Sequence, residues 1–167
     1  MDIYRYTPHK KITHTVILSG LCIAVIAASP IVMPYIGTYM TFMLCLIFAL
    51  TALLLTNRFI LSTYTFILSD INFIIIRSNS QKSIQICNIR LHTAIEILEK
   101  KPLKKFEREF GKVAILKSYC QNLWAAKEYI YIFEFDNKIL AIKFDADANF
   151  IDEMKKRIAE AKLRYGE

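Results

Sequence analysis

The stretch Thr15–Thr56, TVILSGLCIAVIAASPIVMPYIGTYMTFMLCLIFALTALLLT, contains no charged side chain. Its length of about 42 residues is roughly twice the 20 that one membrane-spanning helix needs. Pro30, Pro34 and Gly37 interrupt its middle. We therefore predict a transmembrane hairpin of two helices joined by a tight turn, with the helices at about 15–33 and 35–56.

Basic residues flank this stretch on both sides. Arg5, Lys10 and Lys11 precede it and Arg58 follows it, whereas the loop between the two helices has no Lys or Arg. Because cytoplasmic flanks attract Lys and Arg, we predict a multi-pass protein of the plasma membrane with both termini in the cytoplasm. The spans contain no ionisable Asp, Glu, Lys or Arg, so the pattern favours an anchor over an ion path.

The predicted organisation has three parts. A polar cytoplasmic leader at 1–14 precedes the transmembrane hairpin at 15–56, and a cytoplasmic domain occupies 57–167. A cleaved signal peptide at the start of the apolar run is an alternative interpretation. Cleavage there would still leave a membrane protein, because the apolar run resumes at once and continues through a second span.

Composition and motifs argue against several kinds of function. The net charge of +7 and the pI near 9.2 suit an anionic lipid surface, and no nucleic-acid-binding motif accompanies them. No CxxC pair, P-loop, G-x-S-x-G or HExxH sequence occurs. We predict no enzyme, no cofactor, no metal site and no nucleic-acid partner. The scattered residues behind this prediction are Cys22, Cys45, Cys87, Cys120, His9, His14 and His92.

After the apolar stretch the hydrophobic period changes to two. In FILSTYTFIL, Tyr64, Phe66 and Leu68 alternate with Thr63 and Thr65, as in a half-buried strand. Further strands are predicted at INFIIIR, SIQICNIR, AIEILE, VAILKSY, YIYIFEF and KILAIKF, with a turn at Ser69-Asp70, a polar loop at SNSQKS, an irregular connection at CQNLWAAKE and a hairpin turn at Asp136-Asn137.

The last segment has a helical period. Its predicted apolar face is Phe150, Ile151, Met154, Ile158, Ala161 and Tyr165, and its predicted polar side is Asp152, Glu153, Lys155, Lys156 and Arg157. Asp147 or Asn149 is expected to cap the helix. Trp124, Tyr119 and Tyr129 are expected in the core or at its rim, with contact to the membrane interface as the alternative.

Residues Phe59 to Ala161 resemble the bacterial pleckstrin-homology-like (PH-like) domains found behind paired transmembrane helices. The resemblance lies in YTFILSDINFIII, IQICNIR and IYIFEFDNKILAIKFDADANFIDEMKKRI. It implies an α+β membrane protein in which a seven-stranded antiparallel β-barrel or sandwich is capped by a C-terminal helix. Eukaryotic PH domains often bind phosphoinositides through basic residues near the loop joining the first two strands. Here that loop is Ser69-Asp70, so those ligand residues do not carry over.

The segment Lys100–Lys112, KKPLKKFEREFGK, concentrates the positive charge of the cytoplasmic domain. We predict contact with anionic lipid head groups, with a solvated loop as the alternative. The predicted function is a membrane-anchored binding or scaffolding module that contacts a protein partner, a second copy or the lipid surface. An accessory subunit of a larger membrane complex, such as a transporter, assembled through the hairpin, is the alternative. The predicted lipid contacts are Lys100, Lys101, Lys104, Lys105 and Lys112.

Overall fold

The computed structural model describes residues 3–80, 82–99, 106–108, 111–113, 115–125 and 127–165. The chain forms two compact units. Lys11–Ser62 is the helical unit, and Met1–Lys10 together with Thr63–Glu167 is the β unit. The predicted boundaries at His14 and Asn57 lie a few residues from these. Of the segment 1–14 expected as a leader, Met1–Lys10 belongs to the β unit and the remainder to the helical unit.

The helical unit consists of α1 (Thr13–Ala27), α2 (Ser29–Ile36) and α3 (Thr38–Leu55), followed by a π-helical turn at Thr56–Leu61. α1 and α2 meet at a bend of 57°. Gly37, at φ 82°, separates α2 from α3, so the chain turns there, at the end of the proline-containing segment. The first predicted helix is thus broken at Ala28, and the second extends as a helix to Leu61.

On length and composition, one helix of the described chain is long and apolar enough to cross a membrane. It is Thr38–Leu61, with 24 residues. The bent pair of α1 and α2 adds a second span only if the pair is a single broken helix. α1 packs against α3, and Thr15, Ser19 and Thr41 are buried. Gly20 and Ala24, which are also small residues of α1, are exposed.

The β unit contains eight strands and a long C-terminal helix among its described residues. All seven strands expected from the alternating pattern are present, and an eighth, β1, lies in the predicted leader. The strands are β1 (Tyr4–Tyr6), β2 (Thr63–Leu68), β3 (Asn72–Asn79), β4 (Lys82–Arg90), β5 (Ala94–Glu99), β6 (Ile115–Ser118), β7 (Glu128–Phe135) and β8 (Lys138–Asp145), and the helix is α4 (Ala148–Tyr165).

The strands form two four-stranded sheets. Their orders are β1-β2-β3-β4 and β5-β7-β8-β6. The prediction that every strand is antiparallel was wrong for β6, which pairs in parallel with β8. No ladder joins the two sheets within the described ranges, so a closed barrel is absent there. Two sheets around a shared core fit the sandwich form of the prediction.

The core of the β unit lies between the two sheets and α4. Phe66 and Phe73 come from the first sheet, Tyr131 and Phe144 from the second, and Phe150 from the helix. All five are fully buried or nearly so, and the Phe66 and Phe144 ring centroids lie 5.3 Å apart in an edge-to-face contact. The predicted inward face of β2 is confirmed.

The turns predicted at Asp136-Asn137 and Ser69-Asp70 are confirmed. Asp136 and Asn137 both have positive φ, 52° and 56°, as the tight β7–β8 hairpin requires. The Ser69 backbone N–H donates to the Asn72 carbonyl across the β2–β3 turn. The predicted loop SNSQKS is shorter than expected, because β3 continues to Asn79 and β4 begins at Lys82.

α4 begins and packs as its period predicts, except at Arg157 and at Tyr165, which was expected on the apolar face but is exposed. The Asp147 carboxylate accepts the Phe150 backbone N–H at 2.8 Å and so caps the helix. Arg157, expected on the polar side, is buried. Its guanidinium donates to Glu153 Oε1 at 2.7 Å and to the Leu68 carbonyl at 3.1 Å. These bonds explain how a charged side chain is tolerated between helix and sheet.

Candidate functional site

The basic segment is attached to the second sheet by a phenylalanine. Phe106 is buried with Ile130, Ile132 and Ala141 in a second apolar cluster. These side chains occupy the face of β7 and β8 that points away from the main core, since they alternate with the core residues along each strand. Sequence reasoning missed Phe106 because the lysines around it dominate the segment.

Of the predicted lipid contacts, only Lys112 lies among the described residues, and it is exposed. The other four, Lys100, Lys101, Lys104 and Lys105, lie outside the described residues. The contact of this segment with lipid therefore stays a prediction.

A different region is defined by where the chain leaves the β unit and returns to it. β1 pairs with β2 in antiparallel fashion, with Tyr4 opposite Leu68 and Tyr6 opposite Phe66. Beyond the ladder the Thr7 and Thr65 hydroxyls lie 3.2 Å apart. The chain thus leaves after Lys10 and returns at Thr63 at the same end of the first sheet. We call this the exit end.

The register of the first sheet places the tip of the β3–β4 hairpin at the exit end. Thr63 pairs with Ser78, and Ser78 with Ser83. In the next row, Tyr64 pairs with Arg77, and Arg77 with Ile84. The opposite end holds the Ser69-Asp70 turn and the Asn72–Arg90 pair.

A buried polar network holds the connection between β6 and β7 against the exit end. The Asp145 carboxylate accepts the Gln121 backbone N–H at 2.9 Å and the Asn122 side-chain amide at 3.0 Å. Gln121 Oε1 accepts the Tyr64 backbone N–H at 2.7 Å, and the Asn122 amide also donates to the His9 carbonyl at 3.0 Å. One network therefore contacts the chain both before it leaves and after it returns.

Burial changes the acidity of several groups in this region. Burial raises the pKa of Asp145, and the N–H groups of Gln121 and Asn122 oppose the shift. Burial likewise raises the pKa of Cys120 to about 11 and raises the pKa of Cys87. Both thiols therefore stay protonated at neutral pH, as expected for small apolar residues rather than reactive ones.

Large apolar side chains are exposed at the exit end and further along the adjoining strand β4. Ile84 is 61% exposed and Ile86 39%, both on β4. Trp124, in the connection that the polar network holds, is 64% exposed. The prediction of a core or rim position is confirmed for Tyr129, which is buried, and for Tyr119, whose ring contacts Tyr64, but it was wrong for Trp124.

The exposure of the β4 isoleucines has a geometric cause. The pattern predicted Ile84, Ile86 and Ile89 as one face, but an odd step separates Ile86 from Ile89. The structure resolves this with a bulge, since Ile75 pairs with Cys87 and Ile76 with Gln85, which leaves Ile86 as the extra residue. Ile89 is buried in the core, whereas Ile84 lies beyond it.

Clefts elsewhere on the described part of the β unit include two of similar size. One, of about 430 Å³, lies between β4 and the end of β7 and includes Arg90, Phe133 and Phe135. The other, of about 380 Å³, lies between β5 and α4 and includes Ile97, Lys155 and Ile158. Among the residues that the structure describes, no three His, Cys, Asp or Glu side chains come together as metal ligands.

No family model, curated protein or solved structure matches this chain.

Proposed function

We propose that this protein is a membrane-anchored binding module. The helical unit enters the bilayer as a two-helix hairpin, and the β unit, a PH-like domain, stays at the cytoplasmic face. There it contacts the anionic lipid surface or a protein partner. The observation that carries the proposal is that β1, which precedes the helical unit in sequence, pairs with β2, which follows it.

This pairing limits how the chain can cross a membrane. β1 precedes the apolar helices and β2 follows them, yet their residues lie in one ladder. A folded β unit therefore requires both ends of the helical unit to emerge on one side of a bilayer. Either two crossings or a re-entrant hairpin satisfies this condition, and a single crossing does not.

Length and exposure support a crossing by the helix Thr38–Leu61, and the proposal assigns the second crossing to the bent pair of α1 and α2. The 24 residues of Thr38–Leu61 reach about 36 Å at the usual rise of about 1.5 Å, enough for a hydrocarbon core of about 30 Å. Only 6% of the apolar 18-residue segment of this helix is buried within the protein. A bilayer would cover the remaining apolar surface at no cost to backbone hydrogen bonding.

Charge supports the cytoplasmic side for the β unit. Arg5, Lys10, Lys11 and Arg58 flank the apolar helices, and positive flanks are retained in the cytoplasm. A Lys or Arg close to the anionic leaflet gains about 1 kcal/mol, and this gain is screened by salt. The net charge of +7 thus favours a β unit that stays close to lipid.

The topology is tested by labelling single cysteines in a background with the four native cysteines replaced. Ile3→Cys, Lys138→Cys and Tyr35→Cys each place a thiol at an exposed position. An impermeant maleimide should label Tyr35→Cys on intact cells, and the other two only after the membrane is opened. Labelling of Ile3→Cys or Lys138→Cys on intact cells would overturn the proposed orientation, and release of the chain by alkaline carbonate would overturn the anchor.

A further inference from the structure

We propose that the exit end of the β unit inserts into the membrane interface, with Ile84, Ile86 and Trp124 entering the boundary between head groups and acyl chains. This inference rests on the proposed function and adds a lipid-binding surface to it. It differs from the basic segment in position, because it uses the β3–β4 hairpin and the β6–β7 connection. The ligand it commits to is the lipid interface itself.

The position of these side chains follows from the register. Ile84 lies in the same cross-strand row as Tyr64, which is two residues after the helical unit ends at Ser62. Gln121, three residues before Trp124, accepts the Tyr64 N–H, and Asn122 donates to the carbonyl of His9, two residues before Lys11. The apolar helices begin at Thr13, four residues after His9, and end at Leu61, three residues before Tyr64, so the neighbours of His9 and Tyr64 lie only a few residues along the chain from the proposed membrane segment.

The chemistry of the surface matches that environment. Isoleucines and tryptophan bury apolar area in the outer few ångströms of a bilayer, and tryptophan is enriched at the level of the head groups. Basic side chains accompany them, since Lys82 is exposed at the hairpin tip and Lys117 is exposed and close to Cys87, which follows Ile86. Their ammonium groups suit the phosphates of anionic lipids.

The polar network gives the surface its rigidity. Trp124 lies two residues after Asn122 in a connection whose backbone donates to the Asp145 carboxylate, and Ile84 pairs with Arg77 in the β3–β4 ladder. Both parts are therefore presented in a fixed arrangement around Tyr64. Because little conformational freedom remains to be lost, binding to the interface costs less entropy than it would for a flexible loop.

Trp124 provides the test, because it is the only tryptophan of the chain. The full-length protein is reconstituted in vesicles of phosphatidylglycerol and phosphatidylcholine, with bromine atoms placed at different depths along the acyl chains. Bromines roughly 5–10 Å below the head groups should quench about half or more of the Trp124 emission, and bromines at the bilayer centre should quench less. Absence of quenching would overturn the proposal.

A matched variant moves the probe to the opposite end. Trp124→Phe combined with Phe135→Trp places the single tryptophan at an exposed site beside Arg90, which pairs with Asn72 away from the exit end. Its emission should be insensitive to brominated lipid. Equal quenching at both sites, or quenching at position 135 alone, would contradict the proposed orientation.

A second variant tests the isoleucines. Ile84→Thr with Ile86→Thr keeps β-branched residues in the strand while reducing the apolar area. We expect about a twofold or greater loss of Trp124 quenching in the reconstituted chain, because the apolar area that holds the exit end in the membrane interface is reduced. Unchanged quenching would show that the two isoleucines do not take part in the contact with lipid. Carbonate extraction of the same vesicles reports the anchor separately, so a chain that stays embedded without quenching refutes this inference and not the proposed anchor.

Discussion

Arg157 was predicted on the polar side of α4 but is buried between the helix and the first sheet. Its guanidinium joins α4 to the Leu68 carbonyl at the end of β2 and lies 3.9 Å from Asp70. Replacing it by methionine keeps most of the buried stem and leaves the Leu68 carbonyl without this donor. We expect a loss of about 1–3 kcal/mol in the free energy of unfolding, measured by denaturant titration of the detergent-solubilised chain. Lys156→Met, at the exposed neighbouring position, is the control and should have little effect.

Asp145 gives a prediction about pH. Because burial raises its pKa in the folded chain, the folded state binds the proton more tightly than the unfolded state, whose value is near 3.8. Its contribution to stability is therefore largest below 3.8 and falls as the pH rises through the higher folded value. Asp145→Asn abolishes this titration and presents an amide donor to Gln121 or Asn122.

We expect Asp145→Asn to be less stable than wild type by about 1–3 kcal/mol, because buried N–H groups lose an acceptor. The deficit should be larger near pH 4 than near pH 7, since only the wild type gains stability from the proton. Melting curves at several pH values measure both effects. Asp136→Asn, in the exposed β7–β8 turn, serves as the control. A deficit that grows as the pH rises would contradict the assignment.

At the level of elements, β1 owes its place to aromatic contacts with the core. The ring centroid of Tyr6 lies 5.1 Å from that of Phe150 on α4, and the ring centroid of Tyr4 lies 5.9 Å from the same ring. Tyr6→Ala should destabilise the β unit by about 1–3 kcal/mol, through lost burial and lost ring contacts. Ile3→Ala removes an exposed apolar side chain beside the strand and should cost much less. Equal effects in thermal melting would mean that β1 is not docked as described.

α4 completes the core through Met154, which is fully buried. Met154→Ala creates a cavity and should cost about 2–5 kcal/mol, whereas Lys156→Ala on the exposed side should be nearly neutral. Urea titration of the two variants distinguishes a docked helix from one that only shields the sheet edge. Near-identical midpoints would refute the docking.

At the scale of the whole molecule, the helical unit interrupts the sequence of the β unit, but the strands on either side of it, β1 and β2, pair directly with each other. Thr7 and Thr65 are joined through their hydroxyls at 3.2 Å, so a short Gly/Ser linker can replace Lys11–Ser62. We expect this linked chain to fold and to melt at a higher temperature than the fragment Thr63–Glu167. The fragment lacks β1, which leaves the edge of β2 open to self-association.

Size-exclusion chromatography and thermal melting at matched concentrations compare the two chains. A fragment as stable and monomeric as the linked chain would show that β1 contributes nothing to the β unit. The sequence predicted a domain at 57–167, and the structure places the first ten residues in the same unit as Thr63–Glu167.

The sequence alone determined the features that local patterns encode. Absence of charge over Thr15–Thr56 predicts apolar helices, because an isolated charge in lipid is costly. Alternation with period two identified seven strands, and the 3.6-residue period identified α4. The Asp136-Asn137 turn and the Asp147 cap were also predictable, since each depends only on neighbouring residues.

Only the tertiary structure decided which segments meet. β1 has three residues and pairs with a strand that follows it by about sixty, so no local period marks it. The parallel pairing of β6 with β8, the burial of Arg157 and the exposure of Trp124 have the same origin. Each depends on which distant surface covers a side chain or a strand edge, and periodicity records that a face is apolar but not what will cover it.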